Sequence, residues 1–344
     1  MSLYVVGVDG GTSKTIAFVA DAAGRIVGAA RGAGSNWMGP DVEIPMAVVA
    51  DTVRQALQRA GLTGEDIAMA AFCLAGADWP EDYTRREAYL KAAGIARRLV
   101  VRNDSFAGLR AGTSQPYGVV IAAGTGINAA VIAPDGREWA FGYYVDDGGA
   151  ADMSRQAIRA VLRQDDGRGP ETALTPAVLG RLGYPTGEAL LRALLAGEVD
   201  NARLFSICPL VFEAAEAGDA VAADIVERQG VALAEYATAL IRRFGMRDLE
   251  FDVVLAGSVF KGRGPLLIDT ITQQIHKVAP RARIVRARFE PAVGAVLLAY
   301  DALGITVTEE MYAALAETAP AAEFYDTRDG GEVSPLRSQR GRDR

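Results

Sequence analysis

The chain of 344 residues is half hydrophobic, enough for one large or two medium globular domains. Its net charge of −7 excludes the broad basic surface of a general nucleic-acid binder, but not a local cradle for an anionic ligand. Two distant cysteines, Cys73 and Cys208, argue against a cysteine zinc site, an iron–sulfur cluster within one chain or a disulfide framework, and fit a reducing cytoplasm.

No stretch approaches ~18–20 uninterrupted apolar residues, and no basic leader precedes the first strand pattern. The expectation is a cytoplasmic protein without a membrane span. The sole histidine, His276, ends an amphipathic helix pattern and stands outside every motif. A proton acceptor in this chain is therefore expected to be a carboxylate.

In chain order, residues 3–31 alternate as three strands joined by a glycine turn and a "DAAG" turn. A helix follows over 42–60, with Asp41 as N-cap and Gly61 at its end. "IAMAAFCLAG", 67–76, reads as a buried strand, 80–94 as a helix opened by Pro80, 97–104 as a strand and 105–112 as a short helix. The opening pattern then restarts. Residues 117–142 give strand, Gly-Thr-Gly turn, strand, "PDG" turn and strand, which predicts a duplicated three-strand unit.

Helices are expected at 149–164, 174–182, 186–196, about 201–216 and 219–244. A strand runs into a glycine turn over 249–264, then come a helix at 264–278, a strand at 282–287 and an apolar helix at 291–304. The domains expected are 1–114 and 115–305, both α/β, the second with a helical insertion at about 149–245. Residues 306–324 form a C-terminal segment, and 325–344 have almost no core-forming residues and are expected to be disordered. A cleft between the two halves is the expected ligand site.

"VDGGTSKT", 8–15, is neither a Walker loop nor a dinucleotide fingerprint, because a strand follows it rather than a helix. Backbone amides freed at Gly10 and Gly11, beside Thr12, Ser13 and Lys14, can cradle an anion. Asp9 can hold Mg2+ through water. The second turn offers the amides around Gly124, Thr125 and Gly126 and the Thr125 hydroxyl. "LAGSVFKGRGPLL", with Gly257 and Ser258, can receive adenine and ribose or be an ordinary strand–helix turn. Asp104 can take a proton from a substrate hydroxyl, or cap the helix after it. Asn36 and Trp37 can meet a sugar; Asp146 or Asp147 can bind its hydroxyls or cap the helix at 149.

The order of "GVDGGTSKT", "SNW", "LAGAD", "NDSFAGLRAGT", "GVVIAAGTGINAAV", "DDGGA", "DGRGPETALT" and "LAGSVFKGRGPLL" resembles that in N-acetylglucosamine kinases. More widely, residues 4–303 resemble the family that groups these and glucosamine kinases with the activator ATPases of benzoyl-CoA reductase and hydroxyacyl-CoA dehydratases. The resemblance implies two ribonuclease H-like, actin-like ATPase domains about a cleft, MgATP, and an amino sugar phosphorylated at its C6 hydroxyl. By motif, Asp9, Gly11, Thr12 and Lys14 match the first phosphate loop; Gly124, Thr125 and Gly126 match the second. Gly257 and Ser258 match the adenosine motif, and Gly230 a helix start near the nucleotide. Asp104 matches the catalytic base; Asn36, Trp37 and Asp146 match sugar-binding positions.

Val145 and the preceding "FGYY" depart from the family pattern, which leaves the identity of the hexosamine open. The activator ATPases join subunits through a cysteine-bound iron–sulfur cluster, and neither Cys73 nor Cys208 has that context. A sensor of sugar or nucleotide without catalysis, or an ATPase acting on a partner enzyme, are the alternatives; a homodimer is left open.

Overall fold

The computed structural model describes residues 3–36, 41–142 and 148–325. They form two compact units. The first comprises residues 1–76, 81–102 and 295–344, and the second 77–80 and 103–294. The expected boundaries at 114 and 305 therefore move at both ends. Residues 103–114 pack with the second unit, and the chain after 294 returns to the first.

The first unit is built on β1 (Tyr4–Gly10), β2 (Thr15–Asp21), β3 (Ile26–Gly32), β4 (Ile67–Leu74) and β5 (Leu99–Asn103), in the sheet order β3-β2-β1-β4-β5. β1 pairs antiparallel with β2 and parallel with β4. The apolar runs are explained by this placement, since β1, β2 and β4 are inner strands with most residues buried. Helix α1 (Glu43–Ala60) packs Met46, Val49, Val53 and Ala56 into the core and ends at Gly61 in the left-handed conformation, as expected. Its N-cap is Val42 with no side-chain bond, so Asp41 does not cap it. α2 (Pro80–Ala92) follows β4.

The second unit opens with α3 (Asp104–Gly112), which packs on β6 (Gly118–Ala123) and β9 (Asp252–Ala256). Its sheet adds β7 (Ile127–Ile132), β8 (Glu138–Ala140) and β10 (Arg283–Arg286), in the order β10-β9-β6-β7-β8. Read from the other edge, this is the order of the first sheet. The first strand of each set pairs antiparallel with the second and parallel with the fourth. The duplicated three-strand unit is thus present as two sheets of one topology.

Between β8 and β9 lie α4 (Gly149–Asp165), α5 (Leu174–Leu182), α6 (Gly187–Leu195), α7 (Asn201–Phe205), α8 (Cys208–Glu216) and α9 (Ala220–Arg243). The helix expected over 201–216 is two helices, because Pro209 starts a new one at α8. α10 (Leu266–His276) lies along α9, and α11 (Pro291–Ala302) begins in the second unit and ends in the first. His276 closes α10 with Nε2 3.0 Å from the Ala282 carbonyl oxygen, a helix-end contact.

The C-terminal segment contains an unforeseen helix, α12 (Glu309–Thr318), capped by Thr308 and laid against β3. A short 3-10 turn, Ala322–Tyr325, follows. Residues 326–344 of the expected tail lie outside the described residues. Among the described residues, no helix is long and apolar enough to cross a membrane.

Candidate functional site

In the first unit, the β1–β2 hairpin turns through residues 11–14. The Gly11 amide donates to the Lys14 carbonyl at 2.9 Å, which closes the turn and removes one donor from the expected anion cradle. Thr12 and Ser13 are exposed. Residues 33–36 fold over the turn. The Ser35 and Asn36 amides both donate to the Gly11 carbonyl, at 3.0 and 3.2 Å. Gly34 is required here, because a Cβ would stand 2.0 Å from the Thr12 oxygen.

This fold-over brings Asn36 to the loop. Its Nδ2 donates to the Thr12 hydroxyl at 2.9 Å. Its Oδ1 is shielded from solvent and has no partner among the described residues, leaving an acceptor for a hydroxyl or amide. Lys14 Nζ donates to the Tyr325 carbonyl at 2.6 Å and lies 5.6 Å from the centre of that ring. Tyr325 therefore belongs to ordered structure beside the first loop, not to a disordered tail. Asp9 sits one residue before the end of β1, half-buried, opposite Ile16 and Cys73.

In the second unit, β6 and β7 turn at Gly124, Thr125 and Gly126. The Gly124 amide donates to the Gly126 carbonyl at 2.9 Å, so the exposed Thr125 and Gly126 carry the outward face of the turn. The first turn of α4 fastens it, with the Ala150 and Ala151 amides donating to the Gly124 and Thr125 carbonyls at 2.8 and 3.0 Å. The parallel register of β6 and β9 pairs Ala122 with Ala256 and brings the two strand ends together. Gly257, at φ +109°, lies so close to this turn that a Cβ would be 2.3 Å from the Ala123 oxygen. Ser258 Oγ is 4.0 Å from where a Gly124 Cβ would stand. The second loop and Gly257–Ser258 are thus one surface.

Gly230 is not at a helix start. It is buried inside α9, where a Cβ would meet Thr270 at 2.8 Å, so its role is close helix packing against α10. Trp37, Asp146, Asp147 and Val145 lie outside the described residues.

Asp104 is the first residue of α3, and the cap is its neighbour Asn103, whose Oδ1 accepts from the Ser105 amide at 3.0 Å. The capping explanation for Asp104 is thereby removed. Asn103 also donates through Nδ2 to Asp78 Oδ1 at 2.7 Å. Asn128, the second residue of β7, donates to Asn103 Oδ1 at 3.2 Å and accepts from the Ala129 and Gly142 amides at 2.8 and 3.3 Å. A continuous network therefore links Asp78, the Asp104 helix start and the strand that leaves the 124–126 turn. Burial and the Asp78 carboxylate push the Asp104 carboxyl up to about 6, against the pull of the Ser105 and Asp104 amides.

Asp78 has no assigned role in the sequence reading. Its signal was its place in "LAGAD", a carboxylate just past a buried strand end. Both cysteines are buried, and burial pushes the Cys208 thiol up to about 12, which suits packing rather than ligation. The described residues contain no cluster of three or more histidine, cysteine or acidic side chains able to hold a metal ion.

Two sheets of one topology, each with a glycine turn between its first two strands, give the chain the ribonuclease H-like, actin-like fold. The chain belongs to the BadF/BadG/BcrA/BcrD ATPase family, which it matches over residues 6–299. It is 25% identical over 311 residues to an N-acetyl-D-glucosamine kinase of Dictyostelium discoideum, covering 86% of this chain and 97% of that one. It is also 25% identical over 300 residues to an N-acetylmuramic acid/N-acetylglucosamine kinase of Clostridium acetobutylicum, covering 86% and 98%. In fold it is similar to a Streptomyces griseus ROK family glucokinase solved with glucose and AMPPNP, at a TM-score of 0.54 and 20% identity over 87% of this chain and 99% of that one.

Proposed function

We propose that the protein is an ATP-dependent hexosamine kinase that phosphorylates N-acetylglucosamine or glucosamine at the C6 hydroxyl. The observation that carries this reading is the network around Asp104. A carboxylate with its pKa raised to about 6 stands at a helix start that Asn103 and Asn128 tie to the strand leaving a glycine turn of phosphate-loop type. Near neutral pH such a carboxylate is mostly ionised and more basic than an ordinary aspartate, which suits a general base for a sugar hydroxyl. The names of the curated relatives support a hexosamine as the acceptor.

The chain's residues fit a nucleotide. Thr12 and Ser13 are exposed in the turn that leads to Lys14, and Gly126 leaves open space where a Cβ would stand. In this reading Asp9, Gly10, Gly11, Thr12, Ser13 and Lys14 of the first unit contact phosphates, as do Gly124, Thr125 and Gly126 of the second. Gly257 and Ser258 receive the adenosine, and Asp9 holds Mg2+ through water. A lone carboxylate fits a cation kept mainly by phosphates and water. The bound cation would supply neutralisation of the charge developing on the transferred group. Asn36, Trp37 and Asp146 bind the sugar, with the Asn36 Oδ1 as the acceptor left open for it.

The test is a coupled ADP-release assay against N-acetylglucosamine, glucosamine, N-acetylmuramic acid and glucose, followed by location of the phosphate by NMR. ADP release dependent on a hexosamine, with the phosphate on C6, supports the reading. Hydrolysis indifferent to every sugar would favour an ATPase that acts on a partner enzyme.

A further inference from the structure

The helical insertion of the second unit holds a cavity of about 590 Å³ between α4, α9 and the Gly169–Pro170 segment, lined by none of the residues assigned above. It is an open groove of a size that accepts a small organic ligand, since Arg159, Arg163, Asp224 and Arg228 are all exposed. Three guanidinium groups line it, from Arg159, Arg163 and Arg228, against one carboxylate, Asp224, so its walls carry a net +2 in a chain whose net charge is −7.

Arg155, Arg159 and Arg163 repeat at a spacing of four, so like charges stack along one ridge. Two nearby acids are already paired. Asp166 takes Arg168 through Nε and Nη2, at 2.9 and 2.5 Å. Asp224, itself in the lining, takes Arg228 at 2.7 Å and so neutralises one of the three guanidiniums, leaving the charge of Arg159 and Arg163. Arg163 donates to the Arg168 carbonyl at 3.0 Å, and Arg159 makes no hydrogen bond or ion pair among the described residues. Val221 and Ile225 of α9 supply apolar lining.

We propose that this cavity binds a small phosphorylated metabolite, its phosphate on Arg159 and Arg163 and its carbon body against Val221 and Ile225. Planar guanidinium forks match phosphate oxygens in pairs, and a phosphate places its two charges on one compact group between Arg159 and Arg163, whereas citrate spreads its charge over three separate carboxylates. The site is separate from the phosphate loops, and its existence does not depend on the activity proposed above.

The test is isothermal titration calorimetry with glucose 6-phosphate as the probe and citrate as a non-phosphate anion of comparable charge. Wild type is compared with R159Q/R163Q, and with K277Q/R281Q, which changes the net charge equally on exposed residues of another surface. Thermal melts of all three establish that they are folded. The expected result is a glucose 6-phosphate binding event in wild type and K277Q/R281Q that weakens at least about tenfold in R159Q/R163Q, with citrate weaker by a similar factor in wild type. Identical isotherms for wild type and R159Q/R163Q would overturn the proposal. Citrate binding as tightly as the sugar phosphate would overturn its phosphate selectivity.

Discussion

At the scale of single residues, the account turns on Asp104 and its neighbours. Asparagine keeps the shape of Asp104 but cannot accept a proton, so Asp104→Asn is expected to lower kcat by about 10²–10⁴. Its stability should respond in the opposite sense. The folded carboxyl holds its proton up to about 6, above the ordinary 3.8, so its contribution to stability is fully present below 3.8 and is lost as pH rises through about 6. Melting temperatures measured from pH 4 to 8 should therefore show Asp104→Asn gaining on wild type as pH rises. A variant that loses ground to wild type as pH rises across that range would contradict the burial and charge ascribed to this site. Because the Asp78 carboxylate helps to raise Asp104, Asp78→Asn should shift the acid limb of kcat/KM to lower pH. An unmoved limb would separate Asp78 from the reacting group. Sequence reasoning reached Asp104 through its strand–helix position but assigned the cap to it as one option. A shift of one residue, with Asn103 as the cap, is a matter of backbone geometry at the helix start that composition does not carry.

At the scale of elements, two glycines of similar appearance in sequence have different work. Gly257 is left-handed and pressed on the Ala123 carbonyl, whereas Gly126 faces open space. Gly257→Ala is expected to cost about 1–3 kcal/mol of stability in a denaturant melt, through strain and overlap. Gly126→Ala should leave stability near wild type, so any rise in the KM for ATP can be assigned to the turn itself. The C-terminal segment makes a third case. Lys14 donates to the Tyr325 carbonyl, and the rings of Phe324 and Tyr325 lie 6.1 and 6.3 Å from Phe18. Ending the chain after Pro320 should raise the KM for ATP and lower the melting temperature. A truncated chain with unchanged KM would show that Tyr325 does not position Lys14. The strands and most helices were legible, because inner strands read as apolar runs and glycine turns punctuate them. α12 and the break between α7 and α8 were not, since the first is short and polar at its start and the second depends on where Pro209 restarts the chain.

At the scale of the whole molecule, the duplication was readable from one observation, the restart of strand, glycine turn and strand at residue 117. The two sheets carry it out in full, down to the parallel pairing of their fourth strands. The unit boundaries were not readable, because they depend on packing partners. α3 continues directly from β5 in sequence, yet its Gly108 and Gly112 face Val120, Ala256 and Val254 of the second sheet. In the proposed reaction this duplicated fold couples ATP to a hexosamine hydroxyl through Asp104. The most direct measurement is the initial rate of ADP release by the full chain with MgATP, with and without N-acetylglucosamine or glucosamine, run beside Asp104→Asn. The account predicts release that depends on one of these sugars and falls at least about 10²-fold in the variant while its melt stays cooperative. Sugar-independent release, or a folded variant as fast as wild type, would contradict it.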